Sequence, residues 1–277
     1  MGKKIFWSIF ALLFVLFWVE IFDSLSFADH RTAPFVDLKA VAEKAELQEA
    51  DYKLIFSQTG LGRVAVDDLK ASDENFYQTL ASFQQQKRLP ATYERRYLFF
   101  PTTTADVLVN DEGDFRTLTI PPLKDGDVLL TKSTKTLVYR HGHAALVTDA
   151  ERGAAMEAMM IGTVSAQTSV DSWGSYATLM VLRPKTKAEQ TKKALNFAGR
   201  NLLHVPYHLF AGFMNKDKSN VVPVNYTYCS HLVWQAYKAT GLDLDTDGGW
   251  LVSPCDISAS SDLEVVFSYG FGEDGKW

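Results

Sequence analysis

Tyr228-Cys229-Ser230-His231-Leu232-Val233-Trp234-Gln235-Ala236-Tyr237-Lys238 is the stretch on which the reading of this sequence turns. Cys229, Leu232, Val233, Ala236 and Tyr237 recur at i, i+3, i+4, i+7 and i+8, which predicts one apolar helical face with Ser230, Gln235 and Lys238 turned away. Pro223 and Asn225 oppose helix upstream, so Cys229 is expected in the first turn. A thiol there feels the positive end of the helix dipole, which favours the reactive thiolate. A small buried cysteine on a core face is the competing reading of the same pattern.

The partner sought for such a thiol is a histidine, the usual general base near neutral pH. Tyr139-Arg140-His141-Gly142-His143-Ala144-Ala145-Leu146-Val147 offers His143 at the start of a strand, sharing a face with Ala145 and Val147. Gly142 lets another backbone or a ligand approach closely. A hydrogen-bonded core histidine fits His143 too. His141 and His143 would chelate a metal if both lay on one strand face, but no third ligand stands at useful spacing, and neither a metal nor a cofactor is expected.

Glu157 interrupts the apolar run Ala155-Met156-Glu157-Ala158-Met159-Met160. Acidic side chains are seldom buried without a partner. If its strand pairs with that of His143, the carboxylate orients the imidazole, the third role of a nucleophile–base–orienter set. Otherwise it is an outward-facing glutamate on an edge strand.

The ordered set Gly126-Asp127-Val128, Gly142-His143-Ala144, Glu157-Ala158 and Tyr228-Cys229-Ser230 with Leu232-Val233-Trp234 resembles the YiiX-like (YycO-like) group. That group is the permuted branch of the NlpC-type superfamily of papain-fold cysteine hydrolases. Gly241-Leu242-Asp243-Leu244-Asp245 and Pro254-Cys255-Asp256-Ile257 extend the likeness, which covers about residues 119 to 270. The resemblance implies an α+β fold: a permuted papain-like core whose antiparallel sheet or barrel packs on a catalytic helix. It implies Cys229 as nucleophile, His143 as base and Glu157 as orienting residue, with Gly126-Asp127 a structural turn. The implied reaction is acyl transfer through an acyl-enzyme, with the Cys229 N–H and a hydroxyl of Tyr228 or Tyr226 as oxyanion donors. The implied substrate is an amide in a cell-wall peptide, peptidoglycan included, or in a related amino-acid conjugate. Lipid thioester or acyl-transfer chemistry is the alternative, with Phe210, Phe213 and Met214 lining an acyl pocket, and a non-catalytic envelope binding protein is a third reading.

Around this core the organisation is simple. The 277 residues are 47% hydrophobic and 22% charged with net charge −5, an ordinary globular balance without the basic runs that bind nucleic acid. Lys3-Lys4, the apolar run from Ile5 to Val19 and Ser26-Phe27-Ala28 read as a signal peptide cut before Asp29, so an exported protein is expected. Extending the run past Glu20 to Phe22 gives a membrane anchor instead. Residues 1–28 are thus signal peptide or anchor, 29–118 a helical cap, and 119–277 the catalytic domain. Within the cap, helices are expected around Leu38 to Ala45, Tyr52 to Gly60 and Phe76 to Pro90, with a loop from Pro101 to Gly126. Strands are expected over 128–130, 144–148, 156–161, 177–182 and 263–267, and helices over 187–203 and from Cys229 to Gly241. The two cysteines allow one disulfide or one reactive thiol beside an inert one; the resemblance favours the second, with Cys255 unpaired in a loop.

Overall fold

A computed structural model describes residues 2–99, 101–211, 224–272, 275 and 277. The first element is α1 (Gly2–Ser26). It contains a segment, Ile5–Asp23, long and apolar enough to cross a membrane. Next come α2 (Lys39–Ala42), α3 (Glu49–Thr59), α4 (Arg63–Ser72) and α5 (Phe76–Arg88), then β1 (Tyr93–Phe99) and β2 (Thr103–Leu108). The second half comprises β3 (Val128–Thr131), β4 (Thr134–Thr136), β5 (His143–Asp149), β6 (Ala154–Glu157), β7 (Ala166–Ser169), a 3-10 helix (Val170–Ser175) and β8 (Leu179–Pro184). It closes with α6 (Ala188–Asn201), α7 (Cys229–Lys238), α8 (Pro254–Ala259) and β9 (Leu263–Tyr269).

The fold is mixed α+β with two antiparallel sheets. One has the order β1-β2-β4 and the other β7-β6-β5-β3-β8-β9. Strand alternation divides the larger sheet between two cores. Val128, Leu130, Ala144, Leu146, Met156 and Leu182 face α6 and α7. Leu129, Ala145, Val147, Ala155 and Val181 face the other way, into a core shared with Ile55, Leu69, Leu80 and Phe83 of the N-terminal helices. Burial on both faces explains why these strands read as continuous apolar runs.

Several expectations are corrected. The region expected as a helical cap carries β1 and β2, so the stretch expected as loop from Pro101 begins with a strand. Tyr93-Glu94-Arg95-Arg96-Tyr97 is too polar to announce itself as a strand, while Thr103-Thr104 gains its order by pairing with Thr136 and Lys135. A helix at Arg63–Ser72 was not expected; Gly60, which ends α3 at φ +79°, leaves only a short turn before it. β6 stops at Glu157, which pairs with Ala166, rather than running to Ile161; the chain turns over Met160–Thr163, where Gly162 has φ +88°. Ser230 and Gln235 do not point to solvent: α7 is buried on all sides through Tyr237, since the segment around Val252 covers its polar face. Cys255 lies in α8, not in a loop; Pro254 opens that helix, and Ser253 and Asp256 form its capping box. Both thiols are free.

Candidate active site

Cys229 is the first residue of α7, after Tyr228 in extended conformation (φ −138°, ψ 176°) as its N-cap. Tyr228 accepts the Leu232 N–H, while the N–H groups of the first turn have no intrahelical acceptor and converge at the Cys229 end. The apolar face of α7 packs on β5, which brings the sulfur to the start of the strand that carries His143.

His143 opens β5 opposite Thr131. Gly142 before it has φ +70°, and a Cβ there would come within 2.7 Å of the Thr131 carbonyl oxygen and 2.8 Å of the Trp277 ring. The chain therefore needs glycine to turn tightly into β5. β6 lies beside β5 with Met156 opposite Leu146, and Glu157 sits diagonally across from His143 on the same face. His143 Nε2 is 2.6 Å from Glu157 Oε2, both side chains being almost fully buried. Nδ1 is left as the ring nitrogen for the Cys229 thiol.

The electrostatics of the three groups are coupled. Burial alone would push the His143 imidazole down; its hydrogen bonds to Cys229 and Glu157, and their negative charge, override this and hold it well above the ordinary histidine range. Burial would likewise push the Cys229 thiol up, but the facing imidazole and the Ser230 N–H and hydroxyl bring it below its ordinary value. Burial also works against ionisation of Glu157, and the His143 and Thr168 hydrogen bonds outweigh it, leaving the carboxyl lowered. All three shifts run toward the charged forms: thiolate, imidazolium and carboxylate.

Residues that the sequence did not single out complete the surroundings. Trp173, in the 3-10 helix, stacks on His143 with ring centroids 5.3 Å apart and an interplanar angle of 12°. Its π-face favours the imidazolium. Tyr176 meets Trp173 edge-on at 5.4 Å and is buried where it feels the charges of Glu157 and Cys229. Tyr207 is pushed up first by burial and then by the Cys229 charge, so it lies near the sulfur. It also lines a mostly apolar cavity of about 310 Å³ with Phe99, Thr102, Tyr139, His141 and Met160. Isolated aromatic residues outside the α-helices and strands carry no spacing that would have marked these three.

The two tyrosines expected as oxyanion donors differ in their surroundings. The Tyr228 hydroxyl accepts the Val252 N–H at 2.9 Å, which ties it to the segment covering α7. Tyr226 is exposed and packs on His208. Tyr228 and Tyr207 are both buried where they feel the Cys229 charge, and Tyr207 also lines the cavity. His141 stays outside β5: its Nδ1 donates to the Gly142 carbonyl at 2.6 Å and its Nε2 accepts from Thr136 Oγ1 at 3.0 Å, so it does not chelate with His143. Asp127 pairs with Arg183 at 2.7 Å behind the sheet, a structural position. Phe210 is exposed, and Phe213 and Met214 lie outside the described residues.

No family model, no curated protein and no solved structure matches this chain.

Proposed function

We propose that this protein is a cysteine hydrolase that works through an acyl-enzyme, with a permuted papain-like core of the YiiX-like kind. The observation that carries this reading is the buried chain from Cys229 through His143 to Glu157, with the thiol lowered and the imidazole raised. A thiol lowered by a buried imidazole that a carboxylate holds is the arrangement a nucleophile requires, and this supports the reading. The Cys229 thiolate attacks the substrate carbonyl carbon and forms a C–S bond, while charge moves to the carbonyl oxygen. The Cys229 N–H at the start of α7 is a donor for that oxyanion. The imidazolium of His143 gives its proton to the leaving group as the tetrahedral intermediate collapses. A water then loses a proton to His143 and attacks the thioester, which releases the acid and restores the thiolate. Glu157 balances the imidazolium charge and holds the ring in place.

The substrate proposed is an amide outside the cytoplasm, in a peptide, peptidoglycan stem or amino-acid conjugate. One observation favours the second reading, an acyl group as in lipid thioester or acyl-transfer chemistry: the cavity that Tyr207 lines is mostly apolar. Turnover of muropeptides, N-acyl amino acids and lipid esters, each by wild type and Cys229→Ala, tests both. Amide hydrolysis lost in Cys229→Ala is the expected result; no turnover in any class, with an unreactive thiol, overturns the reading.

A further inference from the structure

The Lys135 and Arg140 cations precede His143 in the chain, and both are nearly buried. Their carboxylate partners come from α1. The Lys135 ammonium donates to Glu20 at 2.5 Å and to Asp23 at 3.4 Å. The Arg140 guanidinium grips Asp23 through two bonds of 2.7 Å, bonds Asp106 at 2.8 Å, and lies 3.9 Å above the ring of Phe27. Phe27 is itself buried, edge-on to Tyr93. Cutting after Ala28 would remove Glu20, Asp23 and Phe27 together and take away both carboxylates that neutralise Lys135. Stripping partners from buried charge is strongly unfavourable.

The same helix defines a surface. Leu13, Leu16 and Phe17 line a crevice with Tyr97, Leu137 and Val138 on the body. Leu13 lies about 10 Å along the helix from Glu20, at 1.5 Å per residue, so this crevice reaches below the charged end of α1 into the depth of the apolar segment. Thr102 belongs both to the crevice and to the apolar cavity that Tyr207 and Met160 line. Around them Tyr97, Phe99, Leu137, Tyr139, Ile161 and Leu209 are exposed. Leu137 is held outward at φ 54°, a conformation that a leucine avoids.

We infer that α1 stays attached as a membrane anchor, docked through Glu20 and Asp23, and that the apolar rim of the cavity lined by Tyr139, Ile161 and Tyr207 seats in the lipid bilayer beside it. The bilayer is the occupant this surface fits, because α1 places hydrocarbon directly against it. The depth is shallow, at the headgroup–acyl boundary, as the polar edges of the β1-β2-β4 sheet require. The inference is independent of any chemistry at Cys229.

The test uses the full chain recovered from bacterial membranes. Intact mass is expected to include residues 5–28; a chain beginning at Asp29 overturns the inference. In a Cys229→Ala/Cys255→Ser background, Tyr139→Cys, Ile161→Cys or Lys185→Cys then carries an environment-sensitive fluorophore. Each protein is placed in phosphatidylethanolamine–phosphatidylglycerol vesicles containing nitroxide-labelled lipid. Quenching is expected at 139 and 161 and not at 185, which follows β8 at the end of the sheet away from His143. Equal emission with and without nitroxide at both rim positions overturns the seating even if the anchor is retained.

Discussion

His143 Nε2 and Glu157 Oε2 lie 2.6 Å apart across two neighbouring antiparallel strands, with the ring of Trp173 stacked on the imidazole. This contact commits one ring nitrogen to a carboxylate and turns the other toward Cys229, so the charge on any one of the three groups depends on the other two.

The two thiols should separate by pH. The Cys229 thiol is lowered by His143, whereas burial and the Asp256 charge raise that of Cys255. A lowered value means that thiolate persists as pH falls, so a small alkylating agent should modify Cys229 at pH 6–7, where an ordinary thiol of pKa about 8.5 is almost all protonated. Cys255, though exposed, should react only as pH rises above that value. Mass-spectrometric mapping of iodoacetamide adducts across pH checks this; Cys255 reacting first at pH 6.5 would refute the thiolate–imidazolium pair. Cys229→Ala should abolish both the low-pH adduct and turnover, with an unchanged circular dichroism spectrum.

Glu157→Gln keeps the volume and removes the charge. Turnover should fall at least about tenfold with a smaller change in KM, as expected when the group that orients a catalytic histidine is neutralised. Without the carboxylate the imidazolium loses stabilisation and its pKa drops, so it holds the thiolate less well. The alkylation profile of Cys229 should therefore move to higher pH. Glu157→Ala should be worse, because it also leaves a space. An unmoved profile with near-normal turnover would show that another group orients His143.

Gly142→Ala combines two penalties. The left-handed conformation costs a residue with a Cβ about 1–2 kcal/mol, and the new methyl would collide with the Thr131 carbonyl and the Trp277 ring. Urea unfolding should report a loss of at least about that size, with Cys229 reactivity reduced because His143 is displaced. Wild-type stability would mean that the turn into β5 relaxes freely.

Asp127→Ala tests the frame rather than the site. Asp127 is buried and receives two guanidinium bonds from Arg183, at 2.8 Å and 2.7 Å. Removing one partner of such a pair leaves an uncompensated charge and costs about 3–5 kcal/mol. Asp68 also bonds Arg183, at 2.8 Å, which places the expected loss toward the lower figure. Equilibrium denaturation measures it; a loss too small to resolve would show that Asp68 alone suffices.

Much of the second half of the chain was legible from local pattern. A helical apolar period behind Pro223 and Asn225 put Cys229 in a first turn, and β-strand alternation put His143 on one face with Ala145 and Val147. Both are properties of short segments, and short-range sterics and burial decide them. Whether Glu157 meets His143 depended on strand register, and a slip of one residue would have turned it away. The strands β1 and β2 were not legible, because their polar sequences gain order only by pairing with each other and with β4.

By itself, then, the sequence determined the type of most helices and strands around the candidate site and the residues able to serve as nucleophile, base and orienter. Tertiary structure alone decided that they converge, that Trp173 lies on the imidazole, that Tyr228 points to Val252, and that Asp23 reaches Arg140 across 117 positions. Propensity and periodicity act over a few residues, whereas these contacts join segments far apart in the chain. Their partners are set by which faces the whole molecule must bury and which charges it must neutralise once they are buried.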